Sequence, residues 1–474
     1  MKPWTLAAIA SLSLCNLAFS QATPTPATQP ATQPIGDIRT FDLTPTPPPS
    51  PALKYQLLFD PADRHPGNAA LLYSQAELLF SADLSKLVSD TDDASFEKDQ
   101  TQFNLLAEKC QAPGIISLLD LAARCEQYDR GTPWREKGFN ALIPSLNETR
   151  ALANLLKINA IRQIRAGKIT DGLQNIRIGM ELGRKVASEP ILVSGLVGNG
   201  ILAMMTTEVM DELLNRPDSP NLYWAFVSLP RPLISEQNCW QSTRLNLVTT
   251  IHELSEVNID RISADQWHVI IDKAIEVSRI GSGNSNDPRF AQIRQILADE
   301  ITRSLPEARL SYAATYNLPA NSVELLDPFK VVATYWFNEY QAIDDDYYKL
   351  TALPYVQQAP LMQATRDKLN RMIRAEPANV FLTFQGNYAR ICTTLARADR
   401  SLAALTIVEA LRTYAASHGG ALPATLSDIP SDIPIPTNPA TARPFGYTLQ
   451  GDTATLSDLT GADSPLTYTI RIRK

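Results

Sequence analysis

Histidine is scarce in this chain of 474 residues: there are four, at positions 65, 252, 268 and 418. None has a second histidine or a cysteine at ligand spacing. The run His252-Glu253-Leu254-Ser255-Glu256 opens like a metalloprotease helix, but Glu256 stands where the second histidine is needed. Cysteine is nearly as rare, five in all with no C-x-x-C pair, which excludes the common zinc frameworks. No run of Lys or Arg occurs: 43 basic against 50 acidic residues give a dispersed net charge of −7, so nucleic acid is not an expected partner. There is no GxSxG elbow, no phosphate-binding GxxxxGK[ST] loop and no GxGxxG after a strand. The longest apolar run, Pro190 to Met205, is shorter than the ~20 residues that span a bilayer. No catalytic residue, metal ligand or cofactor is assigned from these signals, and no stable membrane span is expected.

What the chain does contain points to export. Lys2, the apolar Leu6–Phe19 and the small-x-small Ala18-Phe19-Ser20 read as a secretory signal peptide over residues 1–20. Residues 21–52 alternate Pro, Thr, Gln and Ala with little charge, and read as a disordered tether. Buried free thiols are the reading for Cys110, Cys125, Cys239 and Cys392; in an oxidising compartment a Cys110–Cys125 disulfide, the nearest pair, is the alternative.

The body, residues 53–375, reads as helices. Asn68 ends turn chemistry before a helix over Ala69–Phe80 with Leu72, Ala76 and Leu79 on one side. Ser145 and Glu148 form a capping-box pattern. From there Leu152, Leu155, Leu156 and Ile164 carry one helix to Gly167, and Leu173, Ile176, Met180 and Leu182 carry a second to Ala187, an antiparallel αα-hairpin. The pair resembles one tetratricopeptide unit, so a helical array is possible. Gly195, Gly198 and Gly200 lie on an apolar helix, where small residues permit close approach to neighbours. A helix over Ile234–Glu256 and amphipathic helices over 264–279 and 287–303, the latter two separated by a Gly/Ser/Asn loop, precede the aromatic-rich 327–350. There Asp344, Asp345 and Asp346 point in different directions on a helix and do not converge on an ion.

The last part, residues 376–474, reads as a long helix followed by a small sheet. Leu402, Leu405, Val408, Leu411 and Tyr414 share a flank; Gly419 and Gly420 stop the helix and Pro423 prevents its resumption. Two strands flank Gln450-Gly451-Asp452, and Leu466–Lys474 alternates as a third. The expected fold is mainly α, packed helical hairpins with a three-stranded antiparallel α+β unit at the end.

The stretches Pro66–Tyr73, Leu229–Pro232 and Ala410–Leu449 resemble a group of exported bacterial proteins of unknown function. The segment marked by Tyr414, His418, Gly419, Pro423, Pro439, Phe445 and Tyr447 is similar to the soluble head of type II secretion pseudopilins. In those heads an Asp-rich loop often holds Ca²⁺; here Asn438 and Ala442 replace the Asp and Gly, and the N-terminal membrane helix is replaced by a leader. The functional expectation is an exported, non-catalytic helical scaffold or binding protein with a partner in the cell envelope. The alternatives are a secretion-associated accessory protein and a hydrolase using paired carboxylates.

Overall fold

The structure, a computed structural model, describes residues 36–90, 100–133, 136, 146–255, 258–281, 288–385, 388–458 and 465–473. The expected signal peptide, residues 21–35 of the tether, the Ser145 cap and the Gly/Ser/Asn loop after Gly281 lie outside the described residues. Among the described residues about 65% are helical, in 16 helices, which makes the fold mainly α with a small sheet.

In chain order the elements are β1 (Asp37–Leu43), β2 (His65–Asn68), α1 (Ala69–Leu79), α2 (Ala82–Asp90), α3 (Gln100–Lys109), α4 (Pro113–Arg124) and β3 (Cys125–Gln127). Then come α5 (Leu146–Arg165), α6 (Ile169–Ala187), α7 (Leu192–Met204), a π-helical turn (Met205–Val209), α8 (Met210–Leu214) and α9 (Tyr223–Val227). They are followed by α10 (Glu236–Thr250), α11 (Ala264–Gly281), α12 (Pro288–Tyr316), α13 (Ala320–Glu324), α14 (Pro328–Leu350), α15 (Tyr355–Ala375) and α16 (Tyr388–Ser417). The strands β4 (Gly446–Gln450), β5 (Thr453–Ser457) and β6 (Leu466–Ile472) close the chain.

Local chemistry sets many of these boundaries. Asn68 caps α1 by accepting from the Ala70 amide, and Asp327 caps α14 by accepting from Phe329 and Lys330 just ahead of Pro328. The buried face of α1 is Ala69, Ala70, Tyr73 and Ala76; Leu79, expected inside, is 59% exposed. The α5–α6 hairpin turns at Gly167 in the left-handed region, φ +75°. The helix expected over Ile234–Glu256 ends at Thr250, and His252 to Ser255 form a separate 3₁₀ turn.

The side chains bury themselves in two cores. The first gathers α1, α4–α9, the sheet and most of α16; the second gathers α10–α15, from Trp240 to Cys392. Helix α10 enters the first core with Cys239 and the second with Trp240, while α16 carries Tyr388 and Cys392 in the second and Ile391 and Leu395 in the first. The second core is therefore inserted between α9 and α16, and α16 runs through both. This partition cuts across the boundary expected at 375/376.

One further expectation is corrected. Residues 37–43 are no part of a tether: β1 pairs in parallel with β6, from Asp37–Leu466 to Leu43–Ile472, giving a four-stranded sheet in the order β1-β6-β5-β4. The alternation that should have revealed β1 is broken at Arg39. That residue points inward and is 7% exposed because Asp37, Asp211 and the Thr206 carbonyl receive its guanidinium over the Tyr468 ring. Cys110, Cys125, Cys239 and Cys392 are free and buried, as the reading of them as buried thiols expected.

One stretch, Leu192–Leu214, is long and apolar enough to cross a membrane, and 61% of its most apolar window is buried inside the fold. It packs against α6 through small residues: a Cβ on Gly198 would collide with the Gly183 carbonyl and come within 2.7 Å of Ala187 Cβ. That close crossing is the use expected for its glycines.

Candidate functional site: a cleft between the two cores

Where the two cores part, a cleft of about 570 Å³ opens between the end of α7, the start of α10, the α14–α15 turn and the middle of α16. The turn Leu229-Pro230-Arg231-Pro232, with a cis Arg231–Pro232 bond, delivers the chain to the start of α10. Ser235 then caps α10 by accepting from the Asn238 amide at 3.4 Å, which sets Glu236 in its first turn.

Glu236 is the centre of the cleft's polar groups. Its Oε2 accepts from Gln358 Nε2 at 2.8 Å and from the Cys392 thiol at 3.4 Å. Burial pushes its carboxyl up, against the opposing pull of those two donors, and the charge of Asp399 adds to the rise. Asp399 is itself pushed up by burial, opposed by Arg231 and by the Leu233 amide that its Oδ1 receives at 3.3 Å. Arg231 stands exposed at the rim, its Nη1 held by the Asp399 carbonyl at 3.0 Å.

Two amides on residues that line the cleft keep a buried oxygen unused. Gln358, 2% exposed, gives both Nε2 hydrogens away, to Glu236 and to the Leu353 carbonyl at 2.7 Å. That fixes its orientation, since a flipped amide would press Oε1 against a carbonyl. Its Oε1 is buried with no partner among the described residues, as is Oδ1 of Asn199, 7% exposed on α7. A buried acceptor left unmatched costs about 1–3 kcal/mol.

The cleft's chemistry is otherwise unreactive. Burial drives the Cys392 thiol far above its ordinary range and the Cys239 thiol up to about 12, so neither supplies a thiolate nucleophile. No histidine lines it. Among the described residues no three His, Cys, Asp or Glu side chains are grouped to hold a metal ion.

The residues singled out from the sequence lie mostly elsewhere. Tyr414 and His418 stack at 3.8 Å, and His418 Nδ1 lies 2.8 Å from the Tyr414 carbonyl. Gly419 and Gly420 take φ +62° and +86° at the end of α16. Tyr447 donates to the Pro423 carbonyl at 2.8 Å, and Phe445 is buried in the first core. These residues build the join between helix and sheet; of those singled out, Pro439 alone reaches the cleft wall. Of the other histidines, His268 stacks on Phe329 at 3.7 Å, and His65 Nδ1 lies 4.0 Å from the Cys125 thiol.

Sequence reading missed Glu236, Gln358, Asn199, Arg231 and Asp399. Their separation along the chain hides them, and the only local signal is the Leu229–Pro232 break, which marks the cleft's edge without naming its contents. A second carboxyl pair was also missed: Tyr335 donates to Glu339 at 3.0 Å, and Glu376 sits beside them with Asn379.

No protein-family model, curated protein or solved structure matches this chain.

Proposed function

We propose that this chain is an exported, non-catalytic helical binding protein of the cell envelope, and that its ligand enters the cleft between the two cores. The observation that carries this reading is a cavity of about 570 Å³ between the two cores, lined by Glu236, Asp399 and Arg231. Small-ligand sites fall in the same range of ~300–1,000 Å³, with apolar walls and a few placed polar groups. Leu202, Leu233, Ile234 and Leu395 supply such walls here.

A hydrolase is the second reading, favoured by one observation. Glu236 and Asp399 line the same cleft, and burial pushes both carboxyls up, with the charge of Asp399 adding to the rise at Glu236.

The test is native mass spectrometry of the full chain purified from its own envelope fraction, followed by a small-molecule thermal-shift screen. A co-purifying or screened compound that binds the wild type and is lost from Leu395→Trp, which fills the cleft, supports binding. Compounds that bind Leu395→Trp as well as wild type, or none that bind either protein, defeat it. Turnover of a bound compound that is abolished in Glu236→Gln and Asp399→Asn, with the melting temperature kept, establishes the hydrolase instead.

A further inference from the structure

We infer that strand β4 is a dimerisation edge. It pairs antiparallel with β4 of a second copy of this chain, about a two-fold axis through Thr448, so that two four-stranded sheets become one of eight strands. This contact is independent of the cleft.

The hairpin geometry decides which main-chain groups point outward. Strands β4 and β5 pair without a bulge, from Gly446–Ser457 to Gln450–Thr453, around the two-residue turn Gly451-Asp452 with Gly451 at φ +59°. In such a hairpin the residues flanking the turn are a hydrogen-bonded pair, and these pairs alternate along an antiparallel ladder. Gln450, Thr448 and Gly446 therefore direct their N–H and C=O groups at β5. Those of Tyr447 and Leu449 face away from it, and among the described residues no main-chain partner outside the hairpin reaches them. An edge of this kind is completed by water or by another strand.

The two edges of the sheet differ in a way that selects β4. At the other edge, β1 carries Asp37, Arg39 and Asp42, and its Asp42 amide already donates to Asn215 Oδ1 at 2.8 Å. Charges and covering contacts of this sort keep edges from pairing. Strand β4 reads Gly446-Tyr447-Thr448-Leu449-Gln450, with no charge and no proline. The outer face beside it continues uncharged through Thr453, Thr455 and Ser457 of β5.

The occupant follows from the symmetry of that edge. The two outward residues are two apart, so a two-fold axis through Thr448 sets Tyr447 opposite Leu449 of the second copy, and Leu449 opposite its Tyr447. Each of these pairs exchanges two hydrogen bonds, four in all. Thr448 meets its counterpart across the axis as a non-hydrogen-bonded pair, Cα atoms about 4.5 Å apart, and its exposed side chain is placed for a Thr–Thr contact. On the inner face Tyr447 and Leu449, half-buried against the first core, meet as aromatic–apolar pairs. Each copy carries a net charge of −7, and an uncharged strip is where two such copies can meet without like charges in contact.

Sedimentation of the full chain between about 1 and 300 µM tests this, because a contact this small gives a Kd on the order of 1–100 µM. A reversible monomer–dimer equilibrium is expected. Thr448→Lys sets two like charges across the axis on an exposed side chain. It should raise the Kd about tenfold or more with the melting temperature unchanged, while Thr40→Lys, exposed on β1, should leave the Kd as it is. Thr448→Cys should form an intermolecular disulfide under mild oxidation, since about 4.5 Å lies within the ~4.4–6.8 Å between bridged Cα atoms; wild type and Thr455→Cys should not. Cys110, Cys125, Cys239 and Cys392 are buried and offer no competing thiol. A chain that stays monomeric throughout overturns the inference, as does a dimer that Thr448→Lys leaves intact or that Thr448→Cys fails to link. A dimer lost in Thr40→Lys assigns the contact to β1 and overturns it too.

Discussion

At the scale of single residues, the fold depends on charges taken fully out of water. Arg412 and Glu409 are both 0% exposed. The guanidinium also donates to the Thr44, Ser219 and Pro220 carbonyls, tying the segment after β1 to α16. Arg412→Met leaves Glu409 buried without its cation and should cost roughly 3–5 kcal/mol in urea unfolding. Glu409→Leu with Arg412→Met should recover most of that loss, because an apolar pair needs no compensating charge. Glu376 behaves differently. Burial first, and then the neighbouring Glu339, push its carboxyl up to about 9. Its proton is thus held more tightly in the folded than in the unfolded chain. The stability it confers is complete below the ordinary carboxyl range and is lost as pH rises toward 9. Glu376→Gln should therefore narrow the drop in melting temperature between pH 5 and pH 9 by a few degrees, read by calorimetry. An unchanged drop would place the titration on other groups.

At the scale of elements, the closest packing is the crossing of α6 and α7. A Cβ on Gly198 meets the Gly183 carbonyl and Ala187, so backbone would have to move. Gly198→Ala should destabilise by about 1–3 kcal/mol despite the better helix propensity of Ala, whereas Gly200→Ala, where the added Cβ meets nothing, should be neutral or stabilising. Parallel denaturant titrations of the two variants make the comparison. How legible each element was follows from how local its cause is. The α5–α6 hairpin could be read because its apolar residues recur at helical spacing and Gly167 turns between them. Strand β1 could not, because its inward Arg39 is acceptable only once Asp211 and the Thr206 carbonyl arrive from α8 and the π-helical turn before it. The short β2–β3 pairing, His65 opposite Cys125, carries no pattern of its own length and was likewise invisible.

At the scale of the whole molecule, α16 joins the two cores as one continuous helix. Cooperative unfolding should follow, since neither core can lose α16 alone. Ala396→Pro, within the crossing region of α16, should lower stability by about 3 kcal/mol or more and split one calorimetric transition into two. A single transition retained at lower temperature would mean that α10 alone suffices to couple the cores.

The sequence by itself determined that this chain is mainly helical, where most helices start and stop, and that its end forms a small sheet, because these follow from spacing, caps and breakers within a few residues of one another. Only the tertiary structure decided that the second core is an insertion, that β1 completes the sheet, and that Glu236, Gln358, Asn199 and Arg231 meet in one cleft. Those four residues come from separate turns of chain, and what brings them to one cleft is the packing of α7, α10, α15 and α16 around it. That packing is a property of the whole interior, and no pattern of neighbouring residues encodes it.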